Sequence, residues 1–157
     1  MSSPSIRLKT EQATKVGKYS TGVIDYEVLS DESRENIWLR LTNNDSSGWF
    51  SRELIHTDQI FDCIKNLKET DVILSKSFTL AFKSKSANNA GFLAAALRSE
   101  GLLKPATDQI SRHVLGYDFS TWAQELSTLV GAPITESAPN DNNLTPLKKE
   151  KPTKKSQ

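Results

Sequence analysis

The tightest constraint on the fold is a short block, Ile37-Trp38-Leu39-Arg40-Leu41, followed after a polar stretch by Gly48-Trp49-Phe50-Ser51-Arg52-Glu53. Alternate side chains of an extended segment face opposite ways. Ile37, Leu39 and Leu41 are therefore expected in a core, with Trp38 and Arg40 sharing the other face. Asn43 to Ser47 between the two segments favours a chain reversal, because Asn, Asp and Gly tolerate positive φ. A sheet face with an indole beside a guanidinium has two readings. It is a platform on which unpaired bases stack, or it lies beneath the C-terminal helices.

Flanking segments extend this pattern to a fold class. Ile24, Tyr26 and Val28 alternate with Asp25 and Glu27, which predicts a strand within 19–30. Ile37 to Thr42 and Trp49 to Ile55 are the next two strands, completing a meander. Thr57 is placed to cap a helix running to about Lys68, with Ile60, Phe61, Ile64 and Leu67 as its apolar stripe. Cys63 flanks that stripe as a half-buried residue. A fourth strand is expected over 73–85, with Phe78, Leu80 and Phe82 on one face and Lys83 and Lys85 on the other. Three short helices follow: one from Asn88 or Asn89 to a stop at Gly101, one from Thr107 to Gly116, and one from Asp118 or Ser120 to Gly131. The expected class is α+β, an antiparallel sheet of about four strands in the order βββ-α-β followed by a small C-terminal helical bundle.

Composition sets the boundaries of that domain. The 157 residues suffice for one domain with a real core. Hydrophobic content is 36%, and the shortfall lies at the ends. Residues 1–18 and 132–157 hold too few apolar side chains to offset their ordering entropy. The expected organisation is a flexible basic N-terminal arm over 1–18, a single domain over 19–131 and a disordered Lys-rich tail over 132–157. The net charge of +1 hides segregation: residues 19–71 sum to −6, residues 72–117 to +4 and residues 118–131 to −2, between arms of +3 and +2.

Catalytic signatures are missing from the sequence. His56 and His113 are the only histidines and Cys63 the only cysteine, with no metal-ligand spacing among them. Each His is expected on the surface or at a helix end. There is no P-loop, GxGxxG or GxSxG, so neither an enzyme nor a cofactor or metal site is expected. One cysteine excludes an internal disulfide and points to a reducing cytoplasm. No apolar run approaches the length of a membrane span, and no membrane partner is expected.

Nucleic acid is the expected partner, through Trp38, Arg40, Arg52, Lys83 and Lys85. A base would stack on Trp38 while the cations contact phosphates. Lys148, Lys149, Lys151, Lys154 and Lys155 in the tail serve either as an auxiliary electrostatic arm or as a solubilising end. The run of strands, the polar hairpin and Gly48-Trp49-Phe50-Ser51-Arg52-Glu53-Leu54-Ile55 leading into the helix after Thr57 resembles a Pur- or Whirly-type unit over residues 19–70. That resemblance implies binding of single-stranded nucleic acid on a curved sheet, with two such units cooperating, and a homo-oligomer is compatible with it. Ser111 and Arg112 offer a second route, on the reading helix of a helix-turn-helix. The expectation is thus a non-catalytic DNA-binding accessory protein, single-stranded DNA preferred over duplex, in a setting such as a plasmid or phage. The rival is an interaction adaptor whose acidic 19–71 surface docks a basic protein.

Overall fold

The computed structural model describes residues 3–17, 21–68 and 71–134. Its centre is an antiparallel sheet in the order β4-β3-β2-β1-β7, formed by β1 (Ile6–Thr14), β2 (Val23–Ser30), β3 (Ile37–Asn44), β4 (Ile55–His56) and β7 (Ala132–Pro133). One face carries Ile24, Tyr26 and Val28 from β2 and Ile37, Leu39 and Leu41 from β3, all buried in the main core. A bulge between Arg7 and Lys9 turns the extra residue, Leu8, into that core as well. Against this face pack α1 (Thr57–Ile64) and α2 (Asn89–Ser99), with α3 (Phe119–Ser127) adding Trp122 and Leu126 to the same core. In α2 eight of eleven residues are buried, because it lies against β1, β2, a further strand β5 (Leu103–Ala106) and a 3-10 helix, Ser75–Ala81. A helix enclosed on so many sides needs the small, apolar sequence Asn89-Ala90-Gly91-Phe92-Leu93-Ala94-Ala95-Ala96-Leu97.

The fold is α+β with an antiparallel sheet, but four expectations are corrected. First, residues 6–14 are not an arm. They form β1, which pairs with β2 from Ile6 to Thr14, and β7 adds residues beyond the expected boundary at 131. The polar alternation of β1 hid it, because only Leu8 and Ala13 need to be buried on a strand of this kind. Second, most of 49–54 is irregular, and only Ile55–His56 pairs with β3. Third, the expected strand over 73–85 reduces to one bridge, Ile73 to His113, followed by the 3-10 helix. There Phe78 and Ala81, three residues apart, are buried while Leu80 is 88% exposed, which is a three-residue period and not alternation.

The fourth correction removes the C-terminal helical bundle. Residues 103–115 form a hairpin, β5 (Leu103–Ala106) and β6 (Gln109–Leu115), between α2 and α3. Ser111 and Arg112 therefore sit on a strand, and no reading helix exists there. The four-residue spacing of Ile110 and Val114 suggested a helix, yet Ile110 is 73% exposed and His113 is the buried member. His113 accordingly departs from its expected surface position. His56, by contrast, is the N-cap of α1 in place of Thr57: its Nδ1 accepts from the Asp58 N–H at 3.0 Å, and Gln59 Oε1 accepts from its own N–H at 2.9 Å.

A buried carboxylate ties the layers together. Glu100, at the end of α2, accepts from Trp122 Nε1 at 3.0 Å and pairs with Lys9 Nζ at 2.7 Å, and the Tyr26 hydroxyl donates to its other oxygen. Its side chain is 1% exposed. Burial, and then the Glu100 carboxylate, push the Tyr26 phenol well above its ordinary pKa. Removing the carboxylate leaves the Trp122 indole N–H and the half-buried Lys9 ammonium without this acceptor, while the Tyr26 hydroxyl keeps Ser99 Oγ at 2.9 Å. Glu100→Ala is expected to cost about 3–5 kcal/mol, and Glu100→Gln less, measured by urea denaturation.

Candidate nucleic-acid interface

The second face of the sheet carries two of the five expected contact residues. Cross-strand register aligns Arg7, Leu29, Trp38 and His56 in one row, Thr10, Glu27 and Arg40 in the next, and Gln12, Asp25 and Asn43 in a third. Trp38 and Arg40 do share this face. The indole is only 7% exposed, opposite the fully buried Leu29 and edge-on to His56 at 5.4 Å. Its rings are covered, so a base has no free face on which to stack. Arg40 is committed too: its Nε donates to Glu27 Oε2 at 2.6 Å, while Arg7 Nε donates to Oε1 of the same carboxylate at 2.7 Å. Glu27 is buried, and both guanidiniums serve to neutralise it.

The other three residues lie on two loops, Arg52 in the irregular segment 48–53 and Lys83 and Lys85 in the loop 82–88, which a dense set of hydrogen bonds joins. The Trp49 carbonyl accepts from Ser86 Oγ at 2.7 Å and from Asn88 Nδ2 at 2.8 Å. Asn89 Oδ1 accepts from the Ser51 N–H at 2.8 Å. Glu53 receives the N–H groups of Lys83 at 2.8 Å and Ser84 at 3.1 Å, together with the Ser51 hydroxyl at 2.8 Å. Gly48 leaves room for this contact: a Cβ there would lie 2.6 Å from Asn88 Nδ2 and push that amide from the Trp49 carbonyl.

These bonds consume the acid and leave the cations free. Arg52, Lys83 and Lys85 are exposed and have no carboxylate partner among the described residues. The Arg52 guanidinium lies over the Phe50 ring at 5.5 Å, and Phe50 in turn packs on Phe92 at 5.9 Å. Partial burial, then the Arg40 charge, lower the Arg52 pKa, a sign that no anion sits beside it. Trp49 is 67% exposed on the same segment. Sequence reasoning took Trp38 for the platform because its strand neighbours alternate. The signal for Trp49 was its place beside Gly48 in a polar turn, away from any strand face.

A second cluster has the outline of catalytic machinery and the wrong protonation. His113 is fully buried on β6, its Nε2 2.8 Å from Ser75 Oγ. Its Nδ1 accepts from Arg98 Nε at 2.9 Å. Arg98 is a permanent donor, so Nδ1 holds no proton and Nε2 carries the hydrogen toward Ser75. This tautomer cannot take the serine proton, and the third member is a cation where a triad needs a carboxylate. Burial, then the Arg98 charge, push the imidazole down to about 4. Among the described residues no group of three His, Cys, Asp or Glu side chains is placed to hold a metal ion, and no helix is long and apolar enough to cross a membrane. The tail lysines 148, 149, 151, 154 and 155 lie outside the described residues.

In comparisons with protein-family models, curated proteins and solved structures, nothing matches this chain.

Two measurements check this geometry. Trp38→Ala is expected to lower stability by about 3–5 kcal/mol, as for a buried Trp, seen as an earlier denaturation midpoint. The His113 imidazole is expected to titrate near 4 by NMR with the proton on Nε2 above that pH. The depressed pKa means that its neutral form supports the fold above the unfolded value near 6.5, and this support is lost as pH falls toward 4.

Proposed function

We propose that the protein is a non-catalytic nucleic-acid-binding accessory factor, with a preference for single-stranded DNA over duplex. The observation that carries this reading is an exposed indole, Trp49, on a loop pair whose three cations lack carboxylate partners. A base stacks on Trp49 while Arg52, Lys83 and Lys85 meet the phosphates on either side. Stacking on an open ring tolerates any base and requires an unpaired one, which sets the preference for single strands. The site differs from the sheet face implied by a Pur- or Whirly-type unit, because the covered Trp38 and the committed Arg40 leave that face little to offer a base. A cytoplasmic setting in replication or transfer of a mobile element fits such an accessory role.

The acidic adaptor is the weaker reading. Part of the negative charge in 19–71 is paired within the chain: buried Glu27 between two arginines, exposed Asp45 with Lys15 at 3.1 Å, and half-buried Glu53 with backbone N–H groups. Asp31 is likewise engaged by Asn36 Nδ2 at 2.8 Å and by Ser33 Oγ at 3.1 Å. A basic partner would find a smaller acidic surface than the composition promises.

Anisotropy of labelled single-stranded and duplex oligonucleotides at two salt concentrations tests the proposal. Tight, salt-sensitive binding to single strands is expected. Trp49→Ala should weaken it by roughly tenfold, in line with ~1–3 kcal/mol per stacked base, without moving the denaturation midpoint. Replacing Lys83 and Lys85 by Gln should reduce the slope of log K against log salt by about 1.4, at ~0.7 per single-strand phosphate contact. Absence of binding at low salt would end this reading.

A further inference from the structure

The outer edge of β1 is open over most of its length. β7 pairs only with Ile6 and Arg7, and the Ile134 N–H then donates to the Ser5 carbonyl at 2.9 Å, which carries the chain away from the rest of β1. The direction of the remaining backbone groups follows from the ladder. The Lys15 N–H donates inward to the Gly22 carbonyl at 3.1 Å. Val23, opposite Thr14, is turned to the far side: its N–H donates to Asp45 Oδ2 at 2.8 Å and its carbonyl accepts from the Asp45 N–H at 3.2 Å. Thr14 and Val23 therefore exchange no bond, and the Thr14 N–H and C=O point outward. Antiparallel alternation gives Gln12 and Thr10 the same orientation. Among the described residues nothing pairs with these outward groups.

Those of Gln12 and Thr14 open into a groove of about 500 Å³ lined by Gln12 to Gly17, from the end of β1 and the residues after it, by Ala95, Arg98 and Ser99 of α2, and by Ile110 of β6. Its apolar surface comes from Ala13, Val16, Ala95 and the exposed Ile110. Among the described residues no carboxylate lines it, and its two cations differ. Lys15 is paired with Asp45. Arg98 has only neutral partners, the unprotonated Nδ1 of His113 and the carbonyls of Ile110 and Arg112, and its Nη1 has no partner among the described residues. A half-buried guanidinium without an anion, next to an unpaired strand edge, sets both the shape and the charge of what completes it.

We propose that the open β1 edge, Thr10–Thr14, docks an acidic extended peptide of a partner protein. The peptide adds as a further strand, bonds the outward backbone groups of Thr10, Gln12 and Thr14, and turns a carboxylate to Arg98. This site is separate from the Trp49 loop and stands whether or not that loop binds nucleic acid.

The probe is an acetylated nine-residue peptide of alternating Thr and Val with Glu at its centre, compared with the same peptide carrying Lys. Fluorescence anisotropy should show the Glu peptide binding at least tenfold more tightly. Backbone hydrogen exchange should slow at Gln12 and Thr14 on its addition. Gln12→Pro removes an N–H that points into the groove and not into the β1–β2 ladder, a place where an edge strand accepts Pro. It should weaken the peptide at least tenfold at an unchanged denaturation midpoint. If that variant does not fold, the exchange measurement on the unaltered protein decides alone. No binding of the Glu peptide at millimolar concentration, equal binding of the Lys peptide, or binding without slowed exchange at Gln12 and Thr14 would each overturn the proposal. Slowed exchange without peptide that rises with protein concentration, with a dimer mass in light scattering, would overturn it in favour of a second copy.

Discussion

The fold depends on one buried anion. Glu100 ends α2 at the point where β1, β2 and α3 converge, and it accepts from a lysine, a phenol and an indole at once. An ionised carboxylate out of water is costly unless its lone pairs are all engaged. Here the cost is offset by one full charge from Lys9 and two further hydrogen bonds. The arrangement also sets the order of the layers. A sheet strand, a second strand and a C-terminal helix must all arrive before the carboxylate is satisfied. Gly101 makes this possible, since its φ of +80° ends the helix directly after Glu100.

The same logic of internal neutralisation explains why charge counting misled. The strong negative sum of residues 19–71 suggested an acidic surface, but Glu27, Asp45 and Glu53 each face donors within the fold. An acid held by backbone N–H groups leaves its neighbouring cations uncompensated. Glu53 takes the amides of Lys83 and Ser84, so the Lys83 side chain carries its charge outward. Local basicity thus arises within a segment whose sum is negative.

The inward faces of β2 and β3 were legible because their apolar residues alternate strictly, and the C-terminal stop of α2 because Gly101 has one obvious use. What was not legible had competing periods. Phe78, Leu80 and Phe82 alternate like a strand, yet Leu80 is exposed while Phe78, Ala81 and Phe82 are buried, the three- and four-residue spacing of a helical turn. Ile110 and Val114 match a helix by their spacing of four, but both are β-branched, the type that favours a strand, and burial falls on His113. β1 was missed because its edge position asks for few apolar residues and allows Lys9, Glu11 and Gln12. The candidate site was half legible: its cations were named, while its aromatic residue was placed on the strand face, where indoles are covered as often as they are offered.

Lys15 links the two surfaces described above. It lines the groove beside β1, sits over the Phe92 ring at 5.4 Å, and reaches Asp45 and Ser46 in the turn that precedes Trp49. Asp45 is held below the usual carboxylate range first by the Val23 N–H and then by Lys15. Phe92 also packs on Phe50, over which Arg52 lies. A strand added to the β1 edge therefore meets a residue that braces the turn carrying the exposed indole. A carboxylate arriving at the groove has two cations to choose from, and the choice has consequences. Taken by Arg98, it leaves the Lys15–Asp45 contact and the turn intact. Taken by Lys15, it competes with Asp45 and loosens the base of the Trp49 segment. Of the two, Arg98 is the one with no anion among the described residues, so a carboxylate taken there would leave the Lys15–Asp45 contact and the loop undisturbed.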